Sequence, residues 1–433
     1  MYAPPKPVAL SQLQALVRSA WKGDGNFLEL LPTEAFNLDV VPFGRGGSLL
    51  VNNPKITKEI LQDENGLFYK SDLLVSSVED LGGKSLFIST GDKWARDKRM
   101  LIPAYNSIRS KKAFETVVNT VKDFKLPKSF SLDFMMYYLT SDVMYRLMFS
   151  KPIPYRVALQ MFTDWRVFKE LVSSRDIAAF ITNPRRVQKQ PPIFHTSCRR
   201  IRSCIGYEYL NHSGEDNVTN YVINAKDKDG NGFTNEEIVD QLTVFFLSGH
   251  ETTASVLTWV FYILTQQPQY IERMRSEMEG FDFTISGLNN LEFTKAFFKE
   301  TLRLYPPSTV FPRCPSQDIE IEGHTLKAKS SILVIPYAVH RHNKYWDKPN
   351  VFDPERFLSK KDQIVPGAYI PFGGGPHVCA GSSFAQTEAL LVMAKIIMNY
   401  DFELDGPQTV VPVHRLTTGP KDQIKMKAKK CRY

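Results

Sequence analysis

The stretch PFGGGPHVCAG, residues 371–381, sets one cysteine in a glycine-rich loop just ahead of an apolar run with helical spacing. Three chemistries suit Cys379: an inert buried thiol, a nucleophile, or a metal ligand. A thiolate kept ionised in an apolar site needs positive charge and backbone donors close by. Glycines at 373, 374, 375 and 381 remove Cβ atoms where backbone must approach the sulfur or a flat ligand, and they permit positive φ. The helical segment SSFAQTEALLVM that follows brings its free amides and positive dipole end next to the cysteine. Cys379 therefore reads as an anionic thiolate ligand, while the loop alone leaves open whether His377 shares its role.

Working outward, composition excludes several classes. The other cysteines, Cys198, Cys204, Cys314 and Cys431, are scattered without a CxxC pair, so neither a disulfide framework nor a zinc ribbon is expected, and a reducing compartment fits. No apolar run reaches 18 residues, and MYAPPKPVALSQLQ at the N-terminus has neither a signal h-region nor a membrane anchor. A soluble cytoplasmic chain without a transmembrane segment is expected; a membrane-associated enzyme whose anchor had been removed would read the same. The net charge of +8 and the tail KDQIKMKAKKCRY admit nucleic acid, an anionic membrane or an acidic protein as partner, with a solvated basic surface as the simplest reading. No zinc-finger, RNP or GxxxxGK[ST] pattern supports nucleic acid or nucleotide binding. With 29 phenylalanines, the chain is expected to bury large side chains around something bulky.

Periodicity makes the chain mainly helical. The longest candidate runs from EEIVDQ to Pro268, opened by Thr234 with Glu237 three residues on, the capping-box spacing. Shorter helices fit GDKWARDKRML, SLDFMMYYLTSDVMYRLMF, EFTKAFFKETLRLY and SFAQTEALLVMAKIIMNY. Strand alternation is confined to GSLLVNN, IEIEGHTLKAKSSILVIPY and QIKMKA, so small marginal β-sheets are expected. No repeat or linker divides the chain, and residues 1–433 read as one domain. DKDGNGFTNEEI, from Asp227, mimics a calcium loop but places Ile238 where the bidentate Glu belongs, with Glu237 one position early; a turn and a helix cap are expected instead. The sequons at Asn211 and Asn217 read as accidental.

Two further constellations carry chemistry. In LSGHETTAS, residues 247–255, Ser248, His250, Glu251, Thr252 and Thr253 interrupt an otherwise apolar helix, and buried polar groups are costly unless paired or used. In KETLRLYPP, Glu300 and Arg303 are three apart and share a helix face.

With these residues in view, FGGGPHVCAG resembles the F-x-x-G-x-[RH]-x-C-x-G loop of the cytochrome P450 family, the heme-thiolate monooxygenases. SGHETT is similar to that family's [AG]-G-x-[DE]-T-[TS], Glu300 and Arg303 to its E-x-x-R, and HRHNKYWDKPNVFDPERF to the lead-in to its heme loop. These matches run in order from about Gly91 to near the C-terminus. The resemblance implies a cytochrome P450-like fold around a buried heme b, with Cys379 as axial thiolate, Phe372 packed beside it, and Gly375 and Gly381 permitting the turn. An axial thiolate pushes electron density onto iron and favours O–O cleavage. His377 would hold a heme propionate rather than iron, together with Arg313, Trp94 and Lys98; Arg99 competes with Lys98 for that role, and a plain helix-surface charge competes with both. Gly249 would leave room for dioxygen, with Glu251 and Thr252 as the catalytic pair that delivers protons, and Ser248 departs from the commoner Ala. Glu300, Arg303 and Arg356 would form a structural charge network.

The implied activity is insertion of one oxygen atom from O2 into a hydrophobic organic substrate, by hydroxylation or epoxidation. The chain has no flavin or iron–sulfur module of its own, so electrons would come from an external donor, a ferredoxin, flavodoxin or reductase, with an acidic partner suited to docking on the cysteine side. The implied pocket includes Phe245, Leu247, Ser248, Thr309, Val310 and Phe311, the segment SDLLVSSVEDLGGKSLF and RLTTG. The competing readings are a heme-thiolate peroxygenase or hydroperoxide isomerase, and a non-enzymatic heme-binding sensor.

Overall fold

The computed structural model describes residues 2–7, 9–11, 14, 25–43, 47–182 and 190–431, without the side chains of 73 and 176–182. Arg432 and Tyr433 of the basic tail, and part of the N-terminal stretch, lie outside the described residues.

Local chemistry starts most of the helices. Asn53 accepts from the Lys55 and Ile56 amides ahead of Pro54 to open α1 (Pro54–Gln62). Ser71 caps α2 (Asp72–Gly82) through the Leu74 amide; α3 (Gly91–Ser107) follows, and Ser110 caps α4 (Lys111–Asp123) through Ala113. Then come α5 (Leu132–Phe149), α6 (Tyr155–Thr182) and α7 (Pro192–Leu210). The longest helix, α8 (Asn235–Gln266), begins at the expected capping box, Thr234 and Glu237 exchanging side-chain and backbone bonds. It ends two residues before Pro268, which starts α9 (Gln269–Glu277). α10 (Glu292–Leu304) and α11 (Ser382–Asn399) complete the set that matters here.

The strands form small separate sheets at the margins. β1 (Val40–Phe43), β2 (Ser48–Val51), β3 (Phe68–Lys70), β5 (Phe311–Pro315) and β8 (Ile332–Val334) make one sheet in the order β1-β2-β8-β5-β3. β4 (Ser129–Ser131), β9 (Tyr400–Leu404) and β12 (Lys425–Lys430) make a second, and β6 (Ile319–Ile321) with β7 (His324–Leu326) and β10 (Pro412–Arg415) with β11 (Thr417–Pro420) make two hairpins. The mainly helical fold with marginal sheets is as expected. GSLLVNN contains β2, the IEIEGHTLKAKSSILVIPY run divides into β6, β7 and β8, and QIKMKA falls in β12. Periodicity did not pick out α1, α2, α4, α6, α7 or α9, nor strands β3, β4, β9, β10 and β11; β1 and β5 also went unread, and each contains a proline, which ordinarily argues against a paired strand. α3 also runs on past the expected Leu101, through Pro103.

The calcium-like loop is a turn, as expected. Asp227 accepts from the amides of Asp229 and Asn231 and from Arg96 Nε at 3.0 Å, which fastens it to α3. Asn217 is buried, caps the helix Val218–Ile223 and donates to Ser150, so its amide is occupied by the fold.

α8 crosses the centre of the largest hydrophobic cluster, with α5 against one side. Thr140 of α5 donates to the His250 carbonyl at 3.1 Å. A Cβ on Gly249 would stand 2.6 Å from Met144 Cε, so glycine at this position lets the two helices close together. The side on which Gly249 lacks a Cβ therefore faces α5, and the dioxygen space expected of that missing atom is not where it is found.

At the end of α10, Glu300 and Arg303 pair with no exposure on either side chain: Arg303 Nε and Nη2 each donate to the carboxylate at 2.7 Å. Arg303 also donates to the carbonyls of His340, Pro349 and Val351, and Glu300 accepts from the Asp353 amide at 2.8 Å. Arg356 Nε lies 3.4 Å from Glu300 and its Nη2 donates to the Lys348 carbonyl. Every partner outside α10 belongs to the segment leading to the cysteine loop. Glu300→Ala leaves Arg303 charged and unpaired in the interior, and is expected to lower the unfolding free energy by about 3–5 kcal/mol in chemical denaturation. The same change at Asp318, whose pair with Lys327 is exposed, is expected to leave the unfolding midpoint nearly unchanged.

Candidate heme-thiolate site

His340 carries the order of that network toward the cysteine. Its Nδ1 lies 3.1 Å from the Arg303 carbonyl and its Nε2 accepts from the Ile370 amide at 2.9 Å, so the ring is a neutral bridge. Burial, with Arg303 beside it, holds its pKa down to about 3. Two residues past Ile370, the Phe372 carbonyl accepts from the Cys379 amide at 3.0 Å and closes the loop. Gly375 has φ +63°, and a Cβ there would collide with the Leu61 carbonyl of α1, so this glycine is demanded twice over. Gly381, by contrast, has φ −92° and open space where its Cβ would be; it precedes α11, and no turn in the chain requires glycine there.

Cys379 has large accessible area, yet burial raises its thiol pKa, so it opens on a space enclosed by protein. Two cations from the α3 side hold its loop: Lys98 donates to the Pro376 carbonyl at 2.8 Å and Arg109 to the Ala380 carbonyl at 2.5 Å. Lys98 also lies over the Trp94 ring, which is 4.2 Å from the His377 ring, while Arg99 is exposed. Of the two adjacent cations, Lys98 is thus the one turned to the loop.

His377, Lys98 and Arg313 converge with a residue that the sequence did not single out, Lys70. Burial and then the charges of Lys70, Arg313 and Lys98 hold the His377 pKa down to about 3. Lys70 and Arg313 are direct cross-strand partners in β3 and β5, and both are buried. Neither makes an ion pair with a carboxylate among the described residues: Lys70 donates to the carbonyls of Leu86 and Ser89, Arg313 to that of Pro312. Burial, with Arg313 opposite, holds the Lys70 pKa down to about 7. Like charges across a strand pair are unfavourable, and buried charges call for a counter-ion. The chemistry of this cradle fits the carboxylates of a heme, and Cys379 fits its iron.

Consecutive residues on a helix point about 100° apart, and α8 uses this to send three polar groups in three directions. Glu251 faces α6 and β11: Lys169 Nζ donates to it at 2.5 Å and Thr417 at 2.7 Å. Burial pushes this carboxyl up, but the pairing with Lys169 and the bond from Thr417 bring it net below the ordinary range. It forms part of the wall of a small cleft of about 70 Å³, open to solvent, bounded also by Tyr137, Trp165, Lys169 and Arg415. Thr252 donates to the Ser248 carbonyl at 3.0 Å, and Ser248 to that of Val244 at 2.7 Å. Ser248 is exposed midway along a helix otherwise mostly buried, so its face borders open space. Phe245 on the preceding turn stacks on Tyr105 at 5.1 Å, and the Tyr105 hydroxyl, raised mainly by burial, is raised further by Cys379. Tyr105 thereby links that face to the thiol. Glu251 and Thr252 adjoin in the chain, but their side chains bond in different directions, Glu251 to Lys169 and Thr417 and Thr252 to the Ser248 carbonyl.

Thr253, the third of the series, faces Glu388 of α11. Glu388 is fully buried, its oxygens make no hydrogen bond of normal geometry, and burial raises its pKa well above the carboxylate range, with Thr253 the polar group beside it. A lone acid inside TEALLVMAKIIM was a legible signal. Lys169 and Lys70 carried none, since only tertiary packing supplies their partners. Of the pocket residues, Leu247 is buried on the Glu251 face, one turn before it. Thr309 is fully buried with an unpartnered hydroxyl, Val310 and Phe311 are partly buried, and Phe311 lies near Gly373 of the loop. RLTTG is held there too, Thr418 bonding the carbonyls of Pro306 and Pro307 and accepting from Ser255.

This fold and donor set define a heme-thiolate oxidoreductase. The chain belongs to the cytochrome P450 family, which it matches over residues 5–427. Its cofactor is accordingly heme b, and its class is that of the cytochrome P450 monooxygenases. It is similar to cytochrome P450 4F12 of Homo sapiens, 26% identical over 410 residues covering 84% of this chain and 76% of the relative. It is also similar to cyclooctat-9-en-7-ol 5-monooxygenase of Streptomyces melanosporofaciens, 27% identical over 400 residues and 87% and 84% of the two chains. Cytokinin hydroxylase of Arabidopsis thaliana is 25% identical over 404 residues, 87% of this chain and 78% of that one.

The two buried acids beside α8 predict opposite pH dependences. Glu251 is ionised in the fold with a lowered pKa, so its stabilisation is present above about pH 4.5 and is lost as pH falls through the folded value. Lys169→Met leaves it buried and unpaired, and melting experiments at pH 7 are expected to show a loss of about 3–5 kcal/mol that shrinks towards pH 4. Glu388 stays protonated in the fold but ionises above about pH 4.5 when unfolded, so its burial costs more as pH rises. Glu388→Gln is expected to gain roughly 1–3 kcal/mol at pH 8 and nothing near pH 4, again by thermal melting.

Proposed function

We propose that this monooxygenase draws electrons from an external donor and inserts one atom of O2 into a hydrophobic organic substrate, by hydroxylation or epoxidation, with residues 1–433 acting as one unit. The observation that carries the reading is the Cys379 thiol, accessible yet enclosed by protein just ahead of α11, in a loop closed by the Phe372 carbonyl and gripped by Lys98 and Arg109. When bound, heme supplies activation of dioxygen and transfer of one oxygen atom to carbon.

The chain's own residues bind, orient and move protons. Cys379 holds the iron, with its loop kept in register by Lys98 and Arg109. Lys70, Arg313 and His377 receive the acidic edge, as donors or as positive potential. Thr252 gives its proton to the Ser248 carbonyl, so its oxygen accepts a hydrogen bond and can hold a water at the reacting face. Glu251 takes protons from the solvent cleft and passes them on when its contact with Lys169 opens. Ser248 also spends its proton within the helix and meets substrate as an acceptor.

Phe245, Val310 and Phe311 give the pocket apolar walls. Relatives named for cyclooctat-9-en-7-ol and for cytokinin act on different skeletons, so the substrate class stays at hydrophobic organic molecules. The exposed Arg109, which bonds the Ala380 carbonyl of the cysteine loop, suits docking of an acidic electron donor. No helix among the described residues is long and apolar enough to cross a membrane, and a cytoplasmic location is part of the same reading.

The ferrous carbon monoxide difference spectrum tests this directly. The parent is expected to show its main band at a much longer wavelength than a histidine-ligated heme, and Cys379→Ser to lose it. A parent protein without that band overturns the reading.

A further inference from the structure

We propose that Lys70 ties the loop between α2 and α3 to the acidic edge of the bound heme, so that the cofactor sets how firmly that loop is held. The inference rests on the heme-thiolate reading above and adds a mechanical link to it.

The geometry begins with one ammonium group. Lys70 ends β3, is 8% exposed, and donates to the carbonyls of Leu86 and Ser89, each at 3.0 Å. An ammonium has three protons, and the third has no protein acceptor among the described residues. Directly across the sheet stands Arg313, with Lys98 completing the positive group and the neutral ring of His377 among them. An anion at this edge relieves their mutual repulsion and gives the third proton its acceptor. Burial and Arg313 hold the Lys70 pKa at about 7, so without an anion the side chain is only partly charged at neutral pH. Carboxylates there favour the charged form, and its bonds to Leu86 and Ser89 become charge-assisted, the stronger kind.

The same loop is also held by side chains of α8. Asp240 of α8 accepts from the Lys84 amide at 2.8 Å and from Arg202 at 2.6 Å, and a Cβ on Gly83 would collide with its carboxylate. Gln241 accepts from the Leu86 amide at 3.0 Å. Leu86 is thus gripped at its amide by α8 and at its carbonyl by Lys70. One anchor is fixed by the fold, and the other depends on the anion.

Hydrogen–deuterium exchange across residues 83–90 and the rate of heme loss to a scavenger protein, both on holoenzymes, separate the possibilities. Lys70→Met is expected to speed exchange in that loop and heme loss together, each about tenfold for the loss of a charge-assisted bond. Lys70→Gln, which keeps a donor without the charge, is expected to move both in the same direction by less, and carries the test should the Met variant not accumulate. Asp240→Asn is expected to speed exchange in the loop and leave heme loss unchanged. A Lys70 variant that loosens the loop without speeding heme loss, or speeds heme loss with the loop still protected, overturns the coupling. A parent protein without the thiolate carbon monoxide band would instead remove the reading on which it rests.

Discussion

An ion pair with no water on either partner, Glu300 with Arg303, fixes the path of the chain into the cysteine loop. Arginine has five donors, and here four distinct partners receive them: the Glu300 carboxylate and the carbonyls of His340, Pro349 and Val351. The pair is costly to bury, but once formed it makes any displacement of residues 340–353 cost a buried charge its partner. His340 passes that rigidity to Ile370 through a neutral ring, and the Phe372 carbonyl passes it to the Cys379 amide. The sulfur that defines the chemistry is placed by a charge pair in another element.

α8 does a different kind of positioning. Its pitch separates Glu251, Thr252 and Thr253 into three environments: an ion pair under a solvent cleft, a hydroxyl on an open face, and a hydroxyl beside a neutral buried acid. The two carboxyls flanking the helix have the same intrinsic acidity, and what separates them is Lys169. With a cation at 2.5 Å the charged form prevails over burial at Glu251; with none, burial prevails at Glu388.

Much of this was legible in the residues because it is local. The capping box at Thr234 and Glu237, the i,i+3 spacing of Glu300 and Arg303, and the thiol loop ahead of an apolar helix each lie within a few residues of chain. The spacing of those motifs also pointed to the family. Where the reading fell short, the deciding contact was distant. Glycine at 249 is required by Met144 on α5, and Lys98 rather than Arg99 serves the loop because of where Pro376 falls.

The sequence by itself determined the central long helix with its polar break and the thiol loop ahead of an apolar helix, since each depends on side-chain periodicity or short-range chemistry. Only the tertiary structure decided which charges meet. Lys70 faces Arg313 through a β3–β5 register between segments more than two hundred residues apart, and Lys169 meets Glu251 across a helix pair. Electrostatic energy depends on distance in space and on burial, and neither is a property of position along the chain.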